Sequence, residues 1–189
     1  MSAPETGIAL APCPADLVEL VAFRERAGDL GQLAAERGVR LPGPGELVAG
    51  PEGLTLSVRP GRWLLLSRPV AAGESARRWA EASRGRCAVA DLSSAVAAFL
   101  LRGPAVGEML ARACRLDLEP RAFPVGRAAA TIMVQVPAIL ARLTPGMLLL
   151  TPATTALHLR EWLVQASRPF GLALASDATV SELCKESST

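Results

Sequence analysis

Few residues in this 189-residue chain can do chemistry. It holds one His, four Cys and no Tyr. Asp91-Leu-Ser-Ser94 sets a carboxylate beside two hydroxyls, the raw material of acid–base or nucleophilic catalysis. No His or second carboxylate accompanies it, and Ser-Ser-Ala lacks the glycines of a nucleophile elbow. A turn or capping role is therefore expected for Asp91. His158 stands three residues before Glu161, the spacing of neighbours on one helix face. Cys13, Cys87, Cys114 and Cys184 are too far apart in sequence for a CxxC-type metal or redox pair. Buried thiols in a reducing compartment are the expectation, and a Cys–His pair could arise only by tertiary contact.

Anion chemistry has better candidates. Arg102-Gly-Pro104 leads from an apolar run into a helical pattern, so backbone N–H groups and a guanidinium could meet there, although Gly-Pro is also ordinary strand-to-helix turn chemistry. Arg121 and Arg127 flank Ala-Phe-Pro-Val-Gly126. Asp117 lies between Arg115 and Arg121, where an ion pair or a loop-ordering hydrogen bond is expected. Between Pro120 and Arg160 there is no Asp or Glu, so that span has no carboxylate for general acid–base catalysis. Its arginines must be balanced by solvent or by an acidic partner. Neither dinucleotide nor P-loop fingerprints occur.

The elements that would position these residues follow from periodicity. Leu54–Val58 and Trp63–Ser67 read as strands joined by Arg59-Pro-Gly-Arg62. A helix is expected over Glu74–Arg84, then strands at Val89–Leu92 and Ala95–Arg102. Val106, Met109, Leu110 and Ala113 form a helical stripe after Pro104. Leu116–Gly126 reads as a loop. Three strands follow at Ala128–Val136, Ile139–Leu143 and Met147–Thr151, with turns at Pro137 and Pro145-Gly146. A last helix spans Thr154–Ala166, with Trp162 on its apolar stripe. Trp162 and His158 are the candidate partner-facing residues; Trp63, Trp79 and Trp162 read as core or interface anchors.

Residues 1–53 are expected to form an N-terminal extension. In it Asp29 caps a short helix and Pro42–Gly53 forms an arm, because seven of those twelve residues are Gly or Pro. Residues 54–175 are expected to be one α+β domain of antiparallel sheets with packed helices, and 176–189 a flexible tail. A net charge of +2 gives no basic excess for nucleic acid. The N-terminal residues lack the charged and apolar regions of a secretion signal, and no apolar run is long enough to span a bilayer. A soluble cytoplasmic protein is expected.

One ordered set of motifs resembles a known family. Asp91-Leu-Ser93, Leu101-Arg-Gly-Pro104, Leu110, Cys114-Arg-Leu-Asp-Leu118, Arg121-Ala-Phe-Pro-Val-Gly126, Ala129, Thr131, Trp162-Leu163 and Ala166 are similar to the gamma-subunit family of heterotetrameric sarcosine oxidase. The likeness spans roughly 54–175 and is densest at 91–131. It implies a fold like the folate-binding domain of the glycine-cleavage aminomethyltransferase, with two ferredoxin-like or meander halves. In those transferases a hairpin carries a Gly-rich turn followed by acids, the catalytic carboxylate among them. The corresponding turn here is placed at Val136-Pro-Ala-Ile139, with neither glycine nor acid. The resemblance therefore implies a non-catalytic subunit of a bacterial complex of alpha, beta, gamma and delta chains. That complex oxidises sarcosine to glycine, with FAD, FMN, NAD and zinc held by the partner chains and no cofactor or metal held here. The alternative is a stand-alone folate-binding or one-carbon-transfer protein, with Arg102, Arg121 or Arg127 holding a glutamate tail.

Overall fold

The computed structural model describes residues 7–23, 27–144 and 146–186. The chain divides into two compact units. The first comprises residues 1–13 and 95–178, and the second comprises 14–94 and 179–189.

The first unit is a six-stranded sheet. Its strands are β1 (Ile8–Pro12), β7 (Val96–Arg102), β8 (Ala128–Met133), β9 (Val136–Leu143), β10 (Gly146–Pro152) and β11 (Leu172–Leu174). Their order is β11-β1-β7-β10-β9-β8. All neighbours are antiparallel except β1 and β11, which pair in parallel. Helices α3 (Val106–Ala111) and α4 (Ala153–Ser167) pack on it. Val106, Met109 and Leu110 of α3 and Leu159 and Leu163 of α4 meet Ile8, Phe99, Leu101, Leu140, Met147 and Leu149 in one core. Residues Met147–Leu150 of β10 are buried at every position, which explains why that strand reads as an unbroken apolar run instead of an alternation.

The second unit is a five-stranded antiparallel sheet of β2 (Asp16–Ala22), β3 (Glu46–Gly50), β4 (Gly53–Arg59), β5 (Arg62–Ser67) and β6 (Cys87–Asp91), in the order β3-β4-β5-β2-β6. Helices α1 (Ala27–Glu36) and α2 (Glu74–Ser83) cover one face, where Val18, Leu20, Leu30, Leu33, Leu65 and Trp79 form the core. Helix α5 (Val180–Glu186) packs against β3 and β4.

The α+β class holds, but the expected boundaries differ from these units. Residues 1–53 are not an extension: they supply β1 to one sheet and β2, β3 and α1 to the other. The Pro/Gly-rich arm is a pair of turns around β3. Gly50 pairs Gly53 across the β3–β4 hairpin, with Pro51 and Glu52 between them. Gly53 has φ 152°, and a Cβ there would fall 1.9 Å from the Leu66 carbonyl oxygen, so only glycine fits. Asp29 lies inside the first turn of α1 rather than at its cap. The expected single domain 54–175 is split between the two units. The tail contains α5, with Val180 and Leu183 buried. Residues 1–6 and 24–26 of the expected extension, 187–189 of the expected tail, and Pro145 of the expected turn, lie outside the described residues.

The β8–β9 turn is also displaced. It is a two-residue turn at Val134-Gln135, both at positive φ (49° and 67°), and Pro137 sits inside β9. Met133 and Val136 flank the turn as the hydrogen-bonded pair, so Ile132 and Pro137 form the non-bonded pair. The missing N–H of Pro137 therefore points away from β8, beyond the last β9–β10 pair at Ile139–Leu150. Thr151 Oγ1 donates to the Pro137 carbonyl at 3.0 Å and closes that end.

Candidate functional site

Asp91 ends β6, where the chain must turn into β7. Its Oδ1 accepts from the Ser93 hydroxyl at 2.7 Å and the Ser93 amide at 2.9 Å. Ser93 Oγ in turn accepts from the Leu17 amide at 3.0 Å. The hydroxyl and then the amide of Ser93 hold the Asp91 carboxyl below its ordinary pKa. A carboxylate so stabilised is a poor general base, and its bonds order the turn. Asp117 behaves alike: its Oδ1 accepts from the Glu119 amide at 3.0 Å, and it forms no ion pair with Arg115 or Arg121 among the described residues.

Arg102 is half-buried at the end of β7. Gly103 follows at φ 122°, where a Cβ would lie 2.4 Å from the Gly7 carbonyl oxygen; the Arg-Gly-Pro motif is thus a close backbone crossing. Arg121 and Arg127 are exposed on the segment before β8. Arg102 and Arg127 share one end of the sheet but stand three strands apart, about 14 Å by strand spacing.

The structure adds an arginine that sequence reasoning did not select. Arg142 sits on β9 between buried Ala141 and Leu143. It donates to the Leu118 carbonyl, tying the 116–126 loop to the sheet, and its Nε is buried without an acceptor. Burial lowers its pKa, and Glu119 opposes the shift. A lone charge inside the apolar run Ile-Leu-Ala-Arg-Leu was the available signal.

His158 is exposed on α4 and makes no bond to Glu161. Trp162, one turn on, is half-buried. It borders an open depression of about 540 Å³ with Arg112, Arg115, Ile132 and Val134. The Arg112 guanidinium lies 4.6 Å from the Phe170 ring centre and pairs with Glu108 at 3.0 Å. Ile132 is 55% exposed. This apolar wall with cationic corners can bind a surface; it offers no carboxylate, thiol or imidazole for proton transfer. The turn beside it, Val134-Gln135, has neither glycine nor acid. Cys13, Cys87 and Cys114 are buried, and burial raises the pKa of the Cys87 thiol. Among the described residues no cluster of three His, Cys, Asp or Glu could hold a metal, and no helix is long and apolar enough to cross a membrane.

Known proteins share both the sequence and this arrangement. The family model for the sarcosine oxidase gamma subunit family matches residues 29–167. The sarcosine oxidase subunit gamma of an Arthrobacter species is 32% identical over 155 residues, covering 79% of this chain and 76% of that one. That of Corynebacterium sp. strain U-96 is 35% identical over 86 residues, 45% of this chain and 42% of its relative. A chain of the heterotetrameric sarcosine oxidase from Corynebacterium sp. U-96, solved in complex with pyrrole 2-carboxylate, superposes with a TM-score of 0.77 at 29% identity; the match covers 92% of this chain and 90% of that one. Aminomethyltransferase T of the Bartonella henselae glycine cleavage system matches at a TM-score of 0.67 and 14% identity, over 90% of this chain and 48% of that one. At that identity the likeness is one of fold, the aminomethyltransferase folate-binding-like fold. The chain therefore belongs to the sarcosine oxidase gamma subunit family.

Proposed function

We propose that this chain works by being bound: as the gamma subunit of a heterotetrameric sarcosine oxidase it supplies structure and no catalytic group. Its partners in this reading are the alpha, beta and delta chains, chiefly the large flavoprotein chain. FAD, FMN, NAD and zinc belong to those partners. The complex would oxidise sarcosine with oxygen and water to glycine, hydrogen peroxide and formaldehyde, or pass the one-carbon unit to tetrahydrofolate as methylenetetrahydrofolate. The observation that carries the reading is the acid-free span from Pro120 to Arg160, which takes in all of β8, β9, β10 and the turn between β8 and β9. Acid–base work on that meander has no carboxylate to use. The four free thiols fit a reducing cytoplasm.

The test is native mass spectrometry of the chain co-expressed with its partners, with an absorption spectrum of the same sample. A stoichiometric complex is expected, yellow from flavin on the large chains, while the isolated chain is colourless. Elution of the chain alone, or tight calorimetric binding of tetrahydrofolate by the isolated chain, would overturn the reading.

A further inference from the structure

A sheet edge presents a row of N–H and C=O groups with no strand to meet them, and proteins blunt such edges with charges, proline, shortness or a covering element. Three of the four edges here are blunted. β11 has three residues. β3 begins with Glu46 and is packed by α5; β6 ends with Asp91 and is packed by α2. β8 is the exception. It runs six residues as Ala-Ala-Ala-Thr-Ile-Met, with no charge and no proline.

Register fixes which groups face outward. Arg142 N donates to Arg127 O at 2.9 Å, and Met133 and Val136 flank the turn, so alternate residues from Arg127 to Met133 bond to β9. Ala128, Ala130 and Ile132 between them point their amides and carbonyls away from it. Ala128 is buried, and Cys114 forms an isolated antiparallel bridge with Met133 that sets Ile132 opposite Arg115 and closes the edge from there. Between them the outward groups of Ala130 stay open, with Ala130 and the Ile132 side chain exposed. Arg127 precedes the strand, and Arg115 shares the adjoining depression with Ile132. Neither has an ion pair among the described residues.

We infer that the outer edge of β8 receives an extended, acid-bearing segment of a partner subunit as a seventh strand of the sheet. Backbone bonds to Ala130 and its neighbours would set the register, Ile132 would be covered, and carboxylates of the segment would face Arg115 and Arg127. The inference rests on the docking reading above and deepens it by naming the surface.

Ala130→Pro tests it with little cost to the fold, because the lost N–H faces outward and not toward β9. Ala130→Lys asks less of the backbone and keeps the test if the proline variant does not fold. Each is co-expressed with the partner chains beside Leu174→Lys, a control on β11 at the opposite edge. Expected are at least tenfold weaker association for both Ala130 variants, no change for the control, and amide exchange at residue 130 that slows only in the complex. Arg115→Glu with Arg127→Glu should weaken association and flatten its salt dependence. Unchanged association with fast exchange at 130 would overturn the inference and leave the docking reading standing. Failure of the unaltered chain to join a complex would overturn both. A dimer of the chain alone that Ala130→Pro dissolves would assign the edge to a second copy and overturn the partner segment.

Discussion

The second unit holds twelve acids against twelve bases, and the first holds six acids against eight arginines, so the net +2 sits wholly in the first. The second unit joins Arg62 to Glu19 at 3.1 Å, Arg78 to Glu74 at 2.7 Å and Arg77 to Glu81 at 3.4 Å, and leaves Arg40, Arg59, Arg84 and Arg86 without an ion pair among the described residues. The first has Arg112 with Glu108, and leaves Arg115, Arg121, Arg127 and Arg160 without an ion pair among the described residues. Both units pack helices on antiparallel strands around a leucine-rich core. The contrast is therefore one of surface. One unit is neutral overall, and the other keeps a net positive, apolar flank whose charge balance needs solvent or a partner.

If the cores are equivalent, cutting either should cost the same. Leu149 in β10 and Leu20 in β2 are both fully buried, each in the core of its own unit. Leu149→Ala and Leu20→Ala should each destabilise the chain by about 3 kcal/mol, the usual transfer and cavity cost. Urea melts check this; a cost under about 1 kcal/mol at Leu149 would remove that strand from the core. Next in size is a buried polar contact of the second unit. Asp16 is 8% exposed and accepts from Ser75 Oγ at 2.7 Å and Val70 N at 3.3 Å. Asp16→Ala strands both donors and should cost about 2 kcal/mol by the same melts. Asp117→Ala in the first unit, an exposed turn, should cost well under half of that.

Where the elements were local, the sequence sufficed. The stripe Val106, Met109, Leu110 became α3, and Arg59-Pro-Gly-Arg62 became the β4–β5 turn, because each is decided by neighbours within a few residues. The first fifty residues form strands where an extension is expected, because their partners are remote. β1 pairs β7 and β11, some ninety and one hundred and sixty residues away, and no local period carries that information. The density of Pro and Gly around β3 was real turn chemistry, taken for an arm. The Val134-Gln135 turn was missed for a related reason: neither residue favours positive φ, and Pro137 drew the boundary to itself. The candidate site was legible only as scarcity. The missing acids, Trp162 and the arginines were visible, but the open β8 edge required the sheet order, and Arg142 required the loop folded over it.

That turn offers a smaller change of opposite sign. Gln135 is exposed and holds φ 67° without a glycine's freedom. Gln135→Gly should stabilise the chain by about 1 kcal/mol, raising its melting temperature by a few degrees. A loss of stability would show that the Gln135 side chain does more for the first unit than its exposure suggests.

The smallest effect belongs to the self-neutralised surface of the second unit. Hydrogen bonds from Arg77 and then Arg78 hold the Glu74 carboxyl below its ordinary pKa. A carboxyl whose folded pKa is depressed adds stability above its unfolded pKa, and loses it as pH falls through the folded value. Glu74 is half-buried but its partners Arg77 and Arg78 are exposed, so solvent and salt screen the gain. Glu74→Gln should lower the melting temperature slightly at pH 7 in low salt, and the difference should vanish in acid below the carboxylate range and in high salt. A carboxyl titration followed by NMR should place the Glu74 midpoint below that of an ordinary glutamate. A midpoint at or above it would mean that Arg77 and Arg78 turn outward in solution. The second unit would then keep Arg62–Glu19 against Arg112–Glu108 of the first among the described residues, and the contrast in ion pairing between the two surfaces would fail.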